Sequence, residues 1–288
     1  MIDLHLHTTY SDGSLTPTEL LERAAVRCVE ALAVTDHDTC AGNAEAAEAG
    51  ARLGIEVISG VELSVAFEGV GLHLLGYGID CITESAKKIF LRLEDARNDR
   101  LVKMICRLNE LGAPISSEQV RKEAGGNIVG RLHIARLMVR KRMVPSLQAA
   151  FTQYLGRGGL AYIDRVRLTP EEAFAAIRDM GGVVVMAHPG VIERENPGVL
   201  ERALDCLLGL GLDGIEARYS RHTPEQTARY LEIADRHSLI STGGSDFHSP
   251  TPERIEIGRG FGTLSVPYEC FLALRRAVEA KRKPRIPS

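Results

Sequence analysis

"IDLHLHTTYSDGSLTP", residues Ile2 to Pro17, is the stretch whose reading decides the fold. Its start alternates apolar and polar residues. Strand side chains two apart share a face, so Ile2, Leu4 and Leu6 point one way and Asp3, His5 and His7 the other. That predicts a strand whose apolar side meets helices and whose polar side faces inward. Thr16 and Pro17 then read as a helix start, threonine as N-cap and proline at the first helical position.

Six further short apolar runs follow: "ALAVTD", "IEVISGVE", "GLHLLGY", "GGVVVMAH", "LDGIEA" and "LISTGG". Amphipathic stretches such as Pro17 to Glu30 and Asn43 to Leu53 alternate with most of them. Strand-helix alternation of this kind predicts parallel βα units in barrel-like number. The alternation stops between about Leu91 and Val166, where helical periodicity and basic residues dominate, punctuated at "GAPISS" and "EAGGN". The expected division is therefore a barrel domain over residues 1–90 and 167–288, interrupted by an inserted basic helical cap over 91–166. The basic tail "KRKPRIPS" is expected to be frayed and solvated.

Bulk properties exclude several classes. Hydrophobic residues make up 44% and charged residues 25% of the 288, which fits neither a disordered nor a fibrous chain. No apolar run reaches membrane-spanning length, and the first residues do not read as a signal peptide, so a cytoplasmic protein is expected. Six scattered cysteines without a C-x-x-C pair fit neither a thiolate zinc site nor a disulfide scaffold. The net charge of −3 is uneven, since thirteen Lys or Arg face four Asp or Glu between Arg100 and Arg167.

Polar residues with metal-ligating chemistry recur where the strand-like runs end. His5 and His7 are joined by His37 after "LAVTD", Glu62 ending "VISGVE", His73 in "GLHLLGY", His188 ending "VVVMAH", and Asp246 and His248 in "GGSDFH". In βα barrels the carboxyl ends of strands converge on one face. Any one of these histidines alone reads as a satisfied core or loop residue, and Asp12 alone as a turn residue before glycine. Six imidazoles and several carboxylates converging together would be costly to bury without cations. Imidazole with carboxylate suits Mn, Zn or Fe, and nine candidate ligands exceed what one ion can use. Two or three divalent ions are expected, Mn first, with Glu62 as the bridging carboxylate.

The motifs "DLHLHTTYSDG", "TDHDT", "GVELS", "HLLGY", "AHPG" and "GGSDFH" resemble, in order, those of the PHP (polymerase and histidinol phosphatase) family, over nearly the whole chain. The resemblance implies an α/β fold, a distorted seven-stranded (β/α)7 barrel with an inserted mainly helical cap, and metal-dependent phosphoesterase activity. It places the family's ligands on His5, His7, Asp12, His37, Glu62, His73, His188, Asp246 and His248, with none substituted. "GRLHIAR" (Gly130 to Arg136) and "YLGRGGLAYI" (Tyr154 to Ile163) are similar to cap motifs of the branch containing 3',5'-nucleotide bisphosphate phosphatases and related small exoribonucleases, which often carry proline where this chain has Leu132 and Leu160.

In the cap, Arg131 and Arg157 are the candidates for holding a phosphate by bidentate hydrogen bonds, followed by His133. Tyr154 or Tyr162 could stack on a base, although a cap aromatic more often packs in a core. Glu62, Asp246 and His222 are the candidate catalytic residues, the last two for moving the leaving-group proton. The expected reaction is removal of the 3'-phosphate from a nucleoside 3',5'-bisphosphate by a metal-bridging hydroxide. The alternatives are a 5'-to-3' exoribonuclease on short 5'-phosphorylated oligonucleotides and, of another class, a non-enzymatic nucleic-acid-binding module. The expected partner is a small nucleotide, with neither a membrane nor a stable protein partner.

Overall fold

In the computed structural model, which describes residues 1–124, 129–250 and 255–282, the opening alternation forms β1 (Ile2–Leu6). The end of "EAGGN" and the tail from residue 283 lie outside the described residues. The chain divides into two units, Met1–Ile89 with Arg167–Ser288, and Phe90–Val166.

The first unit is built on seven strands paired in chain order. They are β1, β2 (Ala31–Val34), β3 (Glu56–Phe67), β4 (Val70–Tyr77), β5 (Val183–Met186), β6 (Gly214–Tyr219) and β7 (Ile240–Gly244). The sheet curls back on itself beyond β7, where Asp246 N donates to His5 O at 2.9 Å and His7 N to Phe247 O at 3.0 Å. The expected parallel pairing is departed from at β4, which pairs antiparallel with both β3 and β5. The cause is local: apolar alternation continues past Glu62 to Phe67, and Glu68 (φ 49°) and Gly69 (φ 78°) turn the chain straight back in the left-handed conformation of a two-residue hairpin. Glu62 thus sits within a strand instead of ending one. His73 lies on the returning strand, two residue pairs away along the hairpin (Glu62↔Leu75, Ser64↔His73).

Helices pack on the outside. Leu6 meets Leu20 and Leu21 of α1 (Pro17–Val26), whereas Ile2 and Leu4 join Phe271, Leu274 and Val278 of α11 (Tyr268–Arg282). The predicted Thr16 cap is present as a reciprocal capping box with Glu19. Thr169 with Glu172 and Thr223 with Gln226 repeat the device at α7 (Pro170–Asp179) and α10 (Pro224–Arg236), each with proline following the cap. α1 stops at Val26, four residues short of the expected Glu30, because Cys28 takes φ 58° and Val29 N turns back to Ala24 O. α2 (Asn43–Leu53), α8 (Pro189–Glu195) and α9 (Leu200–Gly209) complete this unit.

The second unit is helical, with most of α3 (Glu84–Glu110), then α4 (Ser117–Ala124), α5 (Arg131–Arg140), α6 (Leu147–Ala150) and a π-helical turn at Phe151–Leu155. Met104 and Leu108 of α3, Val120 of α4, Ile134 and Met138 of α5, and Leu155 form its separate core. Among the described residues, no helix is long and apolar enough to cross a membrane.

Candidate metal centre

Glu62 is the hub of the first unit's polar cluster. It is 1% exposed. Its Oε2 lies 3.2 Å from His5 Nε2, 3.2 Å from His7 Nε2 and 3.1 Å from His37 Nδ1, while Oε1 lies 2.7 Å from His73 Nδ1 and 2.9 Å from His188 Nε2. One carboxylate from the hairpin therefore touches five imidazoles carried by β1, β4 and the loops after β1, β2 and β5. Asp246 Oδ1 closes the other side at 3.1 Å from His7 Nε2 and 3.5 Å from His5 Nε2. Asp12, on the loop after β1, reaches His248 Nε2 at 3.2 Å.

All nine sequence-predicted ligands lie in this cluster. Three sets, His7-Asp12-His37-His248, His5-His7-Glu62-Asp246 and His37-Glu62-His73, each bring their donor atoms within 4.8 Å of one another. His188 belongs to none of these sets and enters through Glu62 Oε1 and through His73 Nδ1 at 3.3 Å.

The electrostatics suit cations. Burial alone would push His5 down, but Glu216, Glu62 and Asp246 hold it well above the ordinary imidazole range. Burial is likewise outweighed at His7, which hydrogen bonding to Asp246 and Glu62 raises to about 10. Burial opposes ionisation of Glu62 and Asp246, yet the surrounding histidines keep both well below the usual carboxylate range. His5 Nε2, His7 Nε2, Glu62 Oε2 and His188 Nδ1 are buried and make no hydrogen bond. Donor atoms this close without aligned hydrogen bonds, of N and O type and without thiolate, fit borderline divalent ions.

Several carboxylates that the sequence reading did not single out hold the ligand loops. Asp36 accepts from Thr8 N (2.7 Å), Thr8 Oγ1 (2.6 Å) and Ser11 Oγ (2.5 Å), fixing the turn between His7 and Asp12. Asp3 accepts from Ser245 N at 2.9 Å and Gly258 N at 2.7 Å, and burial raises its carboxyl to about 6. Their signal was present: each is a carboxylate in or just after an apolar strand run. His188 (φ 26°) and Asp246 (φ 56°) take left-handed backbone that side-chain-bearing residues rarely adopt.

The remaining candidates are placed as follows. His222 Nδ1 donates to Ala217 O at 3.0 Å and its Nε2 accepts from Gly190 N at 3.2 Å, so both ring nitrogens are committed to backbone. In the second unit, Arg131 Nη1 donates to Leu155 O at 3.2 Å. His133 Nδ1 accepts from Gly130 N at 3.0 Å, at the start of α5. Arg157 is exposed. Tyr154 packs against the helical core, and Tyr162 lies under Arg100 and donates its hydroxyl to Asp164. Arg100, not singled out from sequence, donates Nε–H to Ile163 O at 2.7 Å. Burial, with Arg131 and Arg165 close by, pushes its guanidinium down to about 10.

Comparison with known proteins agrees with this geometry. The family model described as the PHP domain matches residues 3–161. A 3',5'-nucleoside bisphosphate phosphatase of Chromobacterium violaceum is 35% identical over 258 residues, covering 89% of this chain and 90% of its own. A 5'-3' exoribonuclease of Escherichia coli is 37% identical over 260 residues, covering 89% and 88%. A crystal structure from Bifidobacterium adolescentis, of a protein described as a metal-dependent phosphoesterase, superposes with a TM-score of 0.84 at 32% identity over 96% of each chain. With the ligand cluster assembled and the likeness extending along the chain, this protein belongs to the PHP family of metal-dependent phosphoesterases.

Proposed function

We propose that this protein is a cytoplasmic phosphomonoesterase that removes the 3'-phosphate from nucleoside 3',5'-bisphosphates, leaving the 5'-monophosphate. The observation that carries the reading is Glu62, one buried carboxylate in contact with five imidazoles. Two or three divalent ions, Mn first, would be held by His5, His7, Asp12, His37, Glu62, His73, His188, Asp246 and His248. When bound, such ions activate water and neutralise charge growing on the phosphoryl oxygens.

The chain's own residues divide the remaining work. Asp246 stays ionised beside His5 and His7, so its carboxylate can accept a proton from attacking water. His222, its nitrogens on Ala217 and Gly190, steadies the turn into α8, and proton transfer falls to Asp246. Arg131, with Arg100 and Arg165, is the handle for the phosphate that is not attacked, and His133 and Arg157 add to it. Clustered guanidiniums favour an anion of two or more charges.

A second reading is favoured by one observation, the 37% identity to a 5'-3' exoribonuclease. The two share a phosphate handle and a 3'-oxygen leaving group, and differ in whether the attacked phosphorus also carries a second nucleoside. The test compares a nucleoside 3',5'-bisphosphate, its 3'-monophosphate and a 5'-phosphorylated dinucleotide on Mn-loaded protein. The bisphosphate is expected to react fastest, with the 3'-monophosphate slower by about ten- to a hundredfold, the equivalent of roughly 1.5 to 3 kcal/mol for a charge-assisted pair. Equal rates on those two would remove the handle. A faster dinucleotide would make the protein an exonuclease.

A further inference from the structure

β6 supplies none of the nine candidate ligands, yet two of its side chains reach them. The β6–β7 register passes from Glu216↔Thr242 to Arg218↔Gly243, so Ala217 is an extra residue, a β-bulge. The bulge inverts the alternation of faces beyond it. Without it Glu216 and Arg218 would share a side; with it Arg218 turns to Ser241 Oγ (2.9 Å) and the Cys270 sulfur of α11, and Tyr219 joins Glu216 on the cluster side.

What the two side chains touch is specific. Glu216 is fully buried, and its Oε1 lies 3.0 Å from His5 Nδ1 while Oε2 accepts from His188 N at 2.8 Å. Tyr219 donates its hydroxyl to Asp246 Oδ2 at 2.9 Å, on the oxygen away from His5 and His7. Three ligands from β1 and the loops after β5 and β7 are thus gripped from one strand.

We infer that Glu216 and Tyr219 are positioning residues of the metal centre. Glu216 keeps the proton of neutral His5 on Nδ1, so that Nε2 presents its lone pair toward Glu62 and Asp246, and it braces His188 in its left-handed backbone. Tyr219 fixes the rotation of the Asp246 carboxylate and leaves Oδ1 for the ion. A ligand imidazole is oriented by the group that takes its other N–H, and loss of such a partner weakens metal binding. The inference rests on the proposed ligand set binding divalent ions.

Glu216→Gln makes the role visible, because an amide offers one acceptor where two are needed. With its NH2 toward His188 N, two donors collide; with NH2 toward His5, the amide donates to Nδ1 and the ring proton moves to Nε2, facing the ion. The experiment titrates Mn2+ into chelator-stripped full-length protein, following free Mn2+ by electron paramagnetic resonance. It adds imidazole 15N spectra of the Zn-loaded protein to report the His5 tautomer. E216Q is expected to weaken Mn2+ binding by about ten- to a hundredfold and to change the His5 signature. Y219F, which removes a single hydroxyl, is expected to weaken Mn2+ binding in the same direction by a smaller factor. Thr169→Ala, at the cap of α7 and nineteen residues along the chain from His188, controls for mere destabilisation and should leave the Mn2+ constant unchanged. Wild-type affinity in Y219F, or in E216Q with the His5 signature intact, overturns the inference; if E216Q does not fold, Y219F alone decides. A wild-type protein that takes up no Mn2+ overturns the ligand reading itself, a result distinct from either variant binding normally.

Discussion

The first unit buries His5, His7 and Glu62 with donor atoms that make no hydrogen bond, whereas in the second unit the Arg100 and Arg131 guanidiniums donate to the carbonyls of Ile163 and Leu155. The first place holds its charge out of water and the second leaves its arginines half-buried, and both must offset desolvation. They do so differently. The imidazole-carboxylate cluster has lone pairs aimed at shared space, an arrangement that only cations complete. Each arginine is held by a hydrogen bond to a backbone carbonyl, which fixes the orientation of its planar guanidinium. On the proposed reading, one region serves metal and the other phosphate.

The sharpest way to break this contrast is at its hub. Glu62→Gln should lower kcat by at least about a hundredfold, with bound metal falling below the wild-type count by elemental analysis, since an amide cannot bridge two ions. Near-normal turnover would remove Glu62 from the centre. Next comes pH. In stripped protein the carboxylates around His7 raise its pKa from 6.5 to about 10. The stabilisation from that proton is complete below about 6.5 and is lost as pH rises through about 10. The melting temperature of stripped protein should therefore fall over this window by several degrees. Metal-loaded protein, whose ligand His7 is already neutral, should not show that fall, and loading at pH 7 should release protons, measurable by calorimetry in buffers of different ionisation enthalpy.

Substitutions in the second unit should act on substrate instead of metal. Arg131→Ala should reduce kcat/KM for the bisphosphate by about ten- to a hundredfold while leaving the 3'-monophosphate and the metal content unchanged. The smallest effect is expected at Arg157, which is exposed: Arg157→Ala should cost less than about fivefold, the scale of a solvent-screened ion pair. A large loss there would move the phosphate handle toward the loop after the π-helical turn.

The legible parts of the sequence were those with short-range physical signatures. The β1 alternation, the Thr16-Pro17 start and the Asn43–Leu53 helix all depend on neighbours within a few residues, and each is present in the structure. The nine candidate ligands were visible because imidazole is scarce and its spacing tracked the strand ends. The antiparallel β4 was not visible, because a hairpin and a parallel crossover can begin with the same apolar run, and Glu68 is an unusual residue for the first position of a left-handed turn. Nor was the role of Glu216 legible. Its partners, His5 and His188, are 211 and 28 residues away, and its facing depends on a one-residue bulge at Ala217 that no periodicity announces.

The left-handed backbones of His188 and Asp246 have a consequence for engineering such a chain. Selection for thermostability alone would place glycine at φ 26° and 56°, where a side chain carries a conformational cost of order 1–3 kcal/mol for a strongly disfavoured geometry. Glycine would also delete the imidazole and the carboxylate. On the proposed ligand reading, side chains at these two positions exchange fold stability for the centre, and a directed-evolution campaign scored only on melting temperature would be drawn toward erasing them.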